Sequence, residues 1–374
     1  MWASAVGSLL LVGCAPGNEE ALTIDPVKAY VDAKAVLLQA ADDRDPVTRA
    51  RAMEALAATL GGETGGVFVQ GLSDENPLVR FAAAMAIGDS RYKPALDALK
   101  KMAADKAAEP DKRVFCAAIY ALYAIGHDEY ASELGQLLFD KEREVRMDAA
   151  MAMGKMGEES AVGPLRTLQA DEQDEAVKLQ VTEALALLGD NRSAEIIEAY
   201  TKGYFIDLRL AAIPSLAGSP SPRAVQVLRE LTQERNPIRV RVTAAAELAR
   251  LGHAEPEFHR LCVDCMTETQ RMLDESNRRM RRAADTDAAS LKELAAIGLG
   301  WMGRPAAVNY LHPMLHSANG SDRVAAAMSI LRLLKAYRPM ALPTSAPATQ
   351  AAEPPEPPPP PKVPPKLHSS GGRD

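Results

Sequence analysis

The sequence predicts an all-α fold, an α-solenoid (superhelix) of about eight to nine stacked helix pairs. Three observations lead to this fold class. Hydrophobic residues make up 47% of the chain but aromatic residues only 5%, so the core must come from Ala, Leu, Val, Met and Ile. Several of these are strong helix formers. A short motif also returns with a nearly constant period, and most copies end at glycine, which suits a helix terminus.

The repeat begins at an aliphatic residue, usually followed by a basic one, and glycine follows twelve residues later. Val145 with Gly157 and Leu291 with Gly303 are two clear copies. Six consecutive anchors, spaced by 31 to 35 residues, are Val79, Val114, Val145, Val177, Leu208 and Val240. A looser copy precedes them near Val47, and a last one lies at Arg323-Val324. Such a period is typical of repeat proteins built from helix pairs.

Each repeat is predicted to contain two helices joined by a turn. The second helix carries small or apolar residues at helical spacing, and turns are marked by Asp or Asn with Pro, as at Asn76-Pro77. Helices of about twelve residues are marginal alone in water, so stability must come from stacking neighbouring pairs. We therefore expect an elongated stack that binds its partner along the concave helical face.

The pattern aliphatic-Arg-x-x-Ala-Ala-x-Ala-Leu-Gly-x-Ile-Gly resembles the HEAT repeat, particularly the short bacterial form also seen in phycobilisome lyase-type proteins. The resemblance covers roughly residues 25–338. It implies a scaffold or adaptor. It also implies a ladder between repeats, with an acidic residue six positions before each basic one. The matching pairs are Asp74/Arg80, Asp140/Arg146 and Glu172/Lys178, whereas Gly203 and Arg235 replace the acid in later copies.

The N-terminus resembles a bacterial lipoprotein signal peptide. Residues 1–13 are apolar and end in Leu11-Val12-Gly13 before Cys14, a run too short to cross a membrane as a helix. The resemblance implies lipidation of Cys14, a tether over residues 14–24, and an outer-membrane lipoprotein facing the periplasm. No Lys or Arg precedes the apolar run. If the signal peptide is accidental, the alternative location is the cytoplasm.

The remaining chain divides by composition. We expect HEAT-like repeats over residues 25–253, a helical insertion over 254–286, terminal HEAT-like repeats over 287–338, and a Pro-rich disordered tail over 339–374. The tail should be extended, since proline runs form neither helix nor sheet.

The insertion contains the candidate partner-binding residues. Insertions in solenoids often contribute to binding. Its basic cluster could contact an acidic partner or lipid phosphates, or it could be a solvated helix face. The cluster comprises Arg278, Arg279, Arg281 and Arg282.

Four residues of the same segment form a candidate metal or disulfide site: His253, His259, Cys262 and Cys265. The CxxC spacing supplies two zinc ligands, but all four candidates lie within one short segment. A disulfide or redox pair is a second interpretation, and ordinary helix packing of apolar thiols is a third.

These observations favour a non-catalytic scaffold or adaptor at the bacterial envelope that binds a protein partner. A net charge of −7 argues against nucleic-acid binding. No catalytic residue, resident metal or cofactor is expected, because no phosphate-binding loop or nucleophile elbow is present. Two alternatives remain: a redox or zinc protein using Cys262 and Cys265, and a bilin lyase-like enzyme.

Overall fold

In the computed structural model, the described residues are 21–104, 109–219, 221–280 and 286–338. They form α-helices and short 3-10 helices, and no strand occurs among them. The nine helix pairs, in chain order and with one extra helix, are α1 (Pro26–Ala40) and α2 (Pro46–Thr59), α3 (Gly65–Gly71) and α4 (Pro77–Ser90), α5 (Leu96–Ala104) and α6 (Lys112–Ala124), α7 (Leu134–Leu137) and α8 (Arg143–Met156), α9 (Val162–Asp171) and α10 (Glu175–Leu187), α11 (Asn191–Thr201) and α12 (Ile206–Gly218), α13 (Ala224–Leu231) and α14 (Ile238–Arg250), α15 (Pro256–Thr267) with the extra α16 (Thr269–Met280) and α17 (Ala288–Trp301), and α18 (Val308–Leu311) and α19 (Gly320–Leu333).

The second helix of most pairs begins at an acidic or amide N-cap. Asp45, Asn76 and Asp111 each accept a hydrogen bond from a backbone N–H of the first turn. Such caps satisfy donors that have no partner inside the helix. The glycines predicted to end these helices have φ between 68° and 100°, and they are Gly126, Gly157, Gly189, Gly252 and Gly303. The left-handed conformation explains why glycine recurs there.

The second helices pack side by side through buried alanine and aliphatic side chains. Along the chain, α2, α4, α6, α8, α10, α12, α14, α17 and α19 each contact the next. Helix α15 packs against α17 and is the first helix of the pair that α17 completes. Helix α16, which lies between them along the chain, is additional to the repeat pattern. The predicted all-α solenoid of helix pairs is confirmed.

The stack closes on itself, which differs from the open, elongated stack expected from the repeat pattern. Helix α19 packs against both α1 and α2, so the last pair contacts the first. Thr23 hydrogen-bonds to Asn309 at 2.9 Å, and Asp32 lies 3.1 Å from His312. A small rotation from each repeat to the next sets the curvature of a solenoid, and the repeat motif does not encode that rotation visibly.

An arginine ladder links neighbouring pairs. Arg49 binds Asp74 of the next pair through two hydrogen bonds of 2.8 Å, and Arg80 binds Glu109 at 2.6 and 2.9 Å. Arg146 binds Glu172 at 2.7 Å. These arginines are structural, as the spacing predicted.

Lys178 departs from the predicted ladder. It binds Glu175 at 3.1 Å, one turn away in its own helix, and so forms no rung with the next pair. In the following repeat Arg209 is buried and donates to the side-chain oxygen of Asn236 at 2.8 Å.

Candidate partner-binding site

The concave face of the ring is crossed by ion pairs. Lys155 on α8 binds Asp89 on α4 at 2.6 Å, and Arg51 on α2 binds Glu293 on α17. In each case the two helices are separated by a third one, α6 or α19. A side chain can bridge them only across the inside of the curve, so ion pairs join non-adjacent helices across this face.

Glu54 shows how enclosed this interior is. Its side chain is exposed to solvent, yet the surrounding protein desolvates the carboxylate and raises its pKa, while Arg51 and Lys155 oppose the rise. Burial likewise raises the pKa of Glu183, although Ser215 and Gln180 donate to its carboxylate. A carboxylate that the surrounding protein desolvates has a raised pKa even where part of its side chain is exposed.

A second part of the inner face combines an aromatic ring with a cation. The Arg332 guanidinium lies 4.3 Å from the centre of the Trp301 ring. Desolvation lowers the pKa of Arg332 to about 10, and Glu247 only partly compensates. These residues occupy corresponding places at the ends of α17 and α19, and neither was predicted as a concave-face residue.

A basic groove lies at the edge of the ring formed by the turns between first and second helices. It has a volume of about 510 Å³ and is lined by four cationic residues and one carboxylate, which are Lys202, Arg209, Arg235, Arg279 and Glu230. We call these five residues the basic groove. Lys202 follows α11, Arg235 precedes α14, and Arg279 lies near the end of α16.

The extra helix α16 is held in place by its buried side. Leu273 is buried, and the hydroxyl of Ser276 accepts the backbone N–H of Ile238 at 3.0 Å, at the start of α14. This contact places the following residues, Arg278 and Arg279, beside the turn before α14, with both side chains exposed. Arg279 forms a 3.1 Å ion pair with Glu234.

Two exposed aromatic side chains adjoin the basic groove. Tyr204 is 76% exposed and Phe205 64% exposed, and their rings meet edge to face with centroids 5.5 Å apart. Phe205 is the N-cap residue of α12, and its carbonyl accepts the N–H of Arg209 one turn later. The aromatic pair and the groove are therefore neighbours on one edge.

The predicted partner-binding arginines divide between described and undescribed residues. Arg278 and Arg279 lie on α16, and Arg279 lines the basic groove, whereas Arg281 and Arg282 lie outside the described residues. Cys14, the signal peptide and the Pro-rich tail also lie outside them.

Sequence reasoning missed Lys202, Tyr204, Phe205 and Arg235 as members of a common surface. One signal was available, because Tyr204-Phe205 is an adjacent aromatic pair at a turn, in a chain with few aromatic residues.

The two cysteines of the CxxC segment are buried free thiols on α15. Desolvation raises the pKa of Cys262, and it raises that of Cys265 to about 12 although Arg241 opposes this. His253 and His259 do not join them, because the described residues contain no group of three or more metal-ligating side chains. Cys262 packs against Gly298 of α17.

No helix among residues 21–104, 109–219, 221–280 and 286–338 combines the length and apolar character needed to cross a bilayer.

A comparison with protein-family models supports the repeat architecture of part of the chain. A family model described as HEAT repeats matches residues 33–110 and 106–186. The complex of CpcE and CpcF of phycocyanin lyase from Nostoc sp. PCC7120 is 16% identical with a TM-score of 0.41, over 70% of this chain and 97% of that one. Human deoxyhypusine hydroxylase in complex with glycerol is 18% identical with a TM-score of 0.32, over 83% of this chain and 99% of that one.

The comparison with curated proteins found no match. A HEAT-repeat model thus matches residues 33–186, and the same helix-pair architecture continues to Leu333 in one all-α solenoid.

Proposed function

We propose that the chain is a non-catalytic protein-binding scaffold or adaptor anchored to the bacterial envelope. The observation that carries this proposal is the exposed Tyr204–Phe205 pair beside the basic groove. Aromatic residues and arginine are the types most enriched in protein interfaces, and such residues dominate binding energy there.

The closed ring determines where such binding would take place. The concave face is crossed by the Lys155–Asp89 and Arg51–Glu293 pairs, so a folded partner would have to break them to enter. The edge that carries Tyr204 and Phe205 needs no such rearrangement. The partner therefore docks on this edge of the ring, and not on the concave face.

Cross-linking and pull-down from intact envelopes test the scaffold function. The full-length chain should recover a defined protein, and Tyr204→Ala/Phe205→Ala should recover at least about tenfold less, since truncated interface aromatics cost 2 kcal/mol or more. Phe139→Ala is the matched control, because Phe139 is also an exposed aromatic (53%) on the turn before α8. If the native chain recovers no specific protein, the scaffold proposal fails.

Envelope anchoring through Cys14 is tested by cell fractionation. The native chain should appear in the membrane fraction and incorporate labelled fatty acid, and Cys14→Ser should do neither. One lipid chain binds membranes only marginally, so stable anchoring requires multiple acylation of this residue. Equal distribution of the two forms would contradict the anchor without affecting the scaffold proposal.

A further inference from the structure

We infer that the basic groove and the Tyr204–Phe205 pair bind an acidic protein segment that carries an aromatic or large apolar residue. This inference rests on the proposed scaffold function and names its partner class. It comes from the charge of the groove, the exposure of the two rings, and the position of α16.

The groove is locally positive in an acidic chain. Four of the nine residues that line it are cationic and one is a carboxylate, while the chain carries a net charge of −7.

The cations differ in their availability to a partner. Arg209 is buried and donates hydrogen bonds to the carbonyl of Thr201 and to the side-chain oxygen of Asn236, so its role is structural. Lys202 and Arg279 are more accessible and form ion pairs with Glu198 and Glu234. Both members of the Arg279–Glu234 pair are exposed, so Arg279 can exchange this carboxylate for that of a partner at small cost. Glu198 is only 14% exposed, but it also lies 3.4 Å from Arg223, which still neutralises it when Lys202 turns to a partner.

Arg235 completes the accessible set. Its side chain is exposed on the turn between α13 and α14, within the groove. Together Lys202, Arg235 and Arg279 surround the depression from three different elements. This arrangement matches several carboxylates along an extended segment better than a single anion.

The aromatic pair supplies the apolar part of the recognition. Tyr204 and Phe205 have the two highest exposed fractions among the exposed large hydrophobic residues of the described chain. An aromatic or aliphatic side chain on the segment would cover them while its carboxylates reach the groove one helical turn away.

Fluorescence anisotropy tests the inference with defined probes on the full-length chain. The probe is a labelled synthetic peptide of alternating Glu and Asp with central Phe residues. Matched probes replace the acids by Gln and Asn, or Phe by Ala, and a fourth is a single-stranded oligonucleotide. The acidic Phe peptide should bind best, by at least about tenfold over each other probe, and binding should weaken with salt. Tighter binding of the oligonucleotide would overturn the inference.

A double variant of the groove locates the binding. Arg235→Glu/Arg279→Glu should weaken the acidic Phe peptide at least about tenfold through like-charge repulsion. Arg192→Glu is the matched control, since Arg192 is exposed at the opposite end of α11 from Lys202 and should leave affinity unchanged. Circular dichroism and melting temperature establish that each variant is folded.

The aromatic pair is tested by a double-mutant cycle. Tyr204→Ala/Phe205→Ala should weaken the Phe peptide but leave the Ala peptide unchanged, since only the former contacts the rings. If folded groove variants bind the probe like the native chain, the acidic segment is not bound here. Should these variants also recover the envelope partner normally, the groove inference fails while the scaffold function stands.

Discussion

Arg323 binds Asp43 at 2.7 Å in the same arrangement by which Arg49 binds Asp74, although 280 residues separate the first two along the chain. Arg323 also donates to the carbonyls of Ser317 and Ala318, just as Arg80 donates to those of Asp74 and Glu75. The last helix pair thus uses the ladder contact of an internal pair to reach the first. The interface that closes the ring is therefore of the same kind as the interfaces between internal repeats.

Removing the Arg323–Asp43 contact, which joins the last helix pair to the first, should open the ring. Removing a ladder contact between two internal pairs should only destabilise the chain. Arg323→Ala should cost about 1–3 kcal/mol, the value of hydrogen bonds to a charged group. Arg80→Ala should cost more, because it leaves the buried carboxylate of Glu109 without its cation. Thermal unfolding measures both losses.

Hydrogen exchange distinguishes opening from general destabilisation. In Arg323→Ala, amides of α1 should exchange faster than in the native chain, since α1 packs on α19. In Arg80→Ala they should keep their protection. Equal exchange of α1 in the two variants would mean that the Arg323–Asp43 contact does not hold the ring closed.

Gly298 should not tolerate a methyl group. A Cβ at this position would lie 2.9 Å from the Sγ atom of Cys262 and 3.5 Å from Ala246. We expect Gly298→Ala to destabilise the chain by about 1–3 kcal/mol through overpacking, measured by denaturant unfolding. Cys262→Ala should recover part of that loss by making room.

Gly66 provides the control for this prediction. It lies in α3, and a Cβ there would meet nothing within 4 Å. Gly66→Ala should therefore stabilise the chain by about 0.4–1 kcal/mol, because alanine restricts the unfolded chain more than glycine does. Similar losses for the two variants would show that the α15–α17 contact is looser than described.

Two inner carboxylates should make stability fall as the pH rises. The pKa values of Glu54 and Glu183 are raised in the folded chain, chiefly by desolvation, so the folded state binds more protons than the unfolded state above pH about 4.5. The stabilisation that these two carboxyl groups contribute is fully present below their pKa in the unfolded chain. It is lost as the pH rises through their higher pKa in the folded chain. Glu54→Gln/Glu183→Gln should flatten the decline between about pH 5 and 7, as measured by urea unfolding.

The matched control is Glu144→Gln on α8. Arg143 holds the pKa of the Glu144 carboxyl below its usual range, so Glu144 stays ionised in both states across that window. Its substitution should not alter the pH dependence there. An unchanged slope in the double variant would contradict the assignment of Glu54 and Glu183.

The buried thiols should be unreactive in the native chain. Cys116, Cys262 and Cys265 are all buried, and burial raises the pKa of Cys265 to about 12. A thiol reagent at about pH 8 should therefore label the Cys14→Ser chain only at the rate of unfolding, since the thiolate is the reactive form. In denaturing guanidinium chloride, the thiols of Cys116, Cys262 and Cys265 should all react rapidly.

The same measurement decides the redox and zinc alternatives. Rapid native labelling would favour a redox role for Cys262 and Cys265. If two thiols fail to react with the reagent in the denatured, unreduced chain, a disulfide joins them. Stoichiometric bound zinc would show a metal site.

The local elements were predictable from the sequence because each depends on contacts within one repeat. Anchors such as Val145 and Val177 are fully buried as predicted, and glycines such as Gly157 have the left-handed conformation that their spacing indicated. The ladder acid and base were also visible, six residues apart. Side chains on one helix, or on one helix and its own turn, leave a periodic signal that a single chain displays.

The ring, its enclosed charges and the basic groove depended on tertiary structure. Arg323 and Asp43 are brought together by the summed rotation of nine helix pairs, and no local pattern records that sum. Lys202, Arg235 and Arg279 likewise come from three separate elements, and α16 brings the last of them to the other two. The sequence alone determined the repeat, whereas the accumulated geometry of packing decided that the repeat closes and that Lys202, Arg235 and Arg279 meet on one edge.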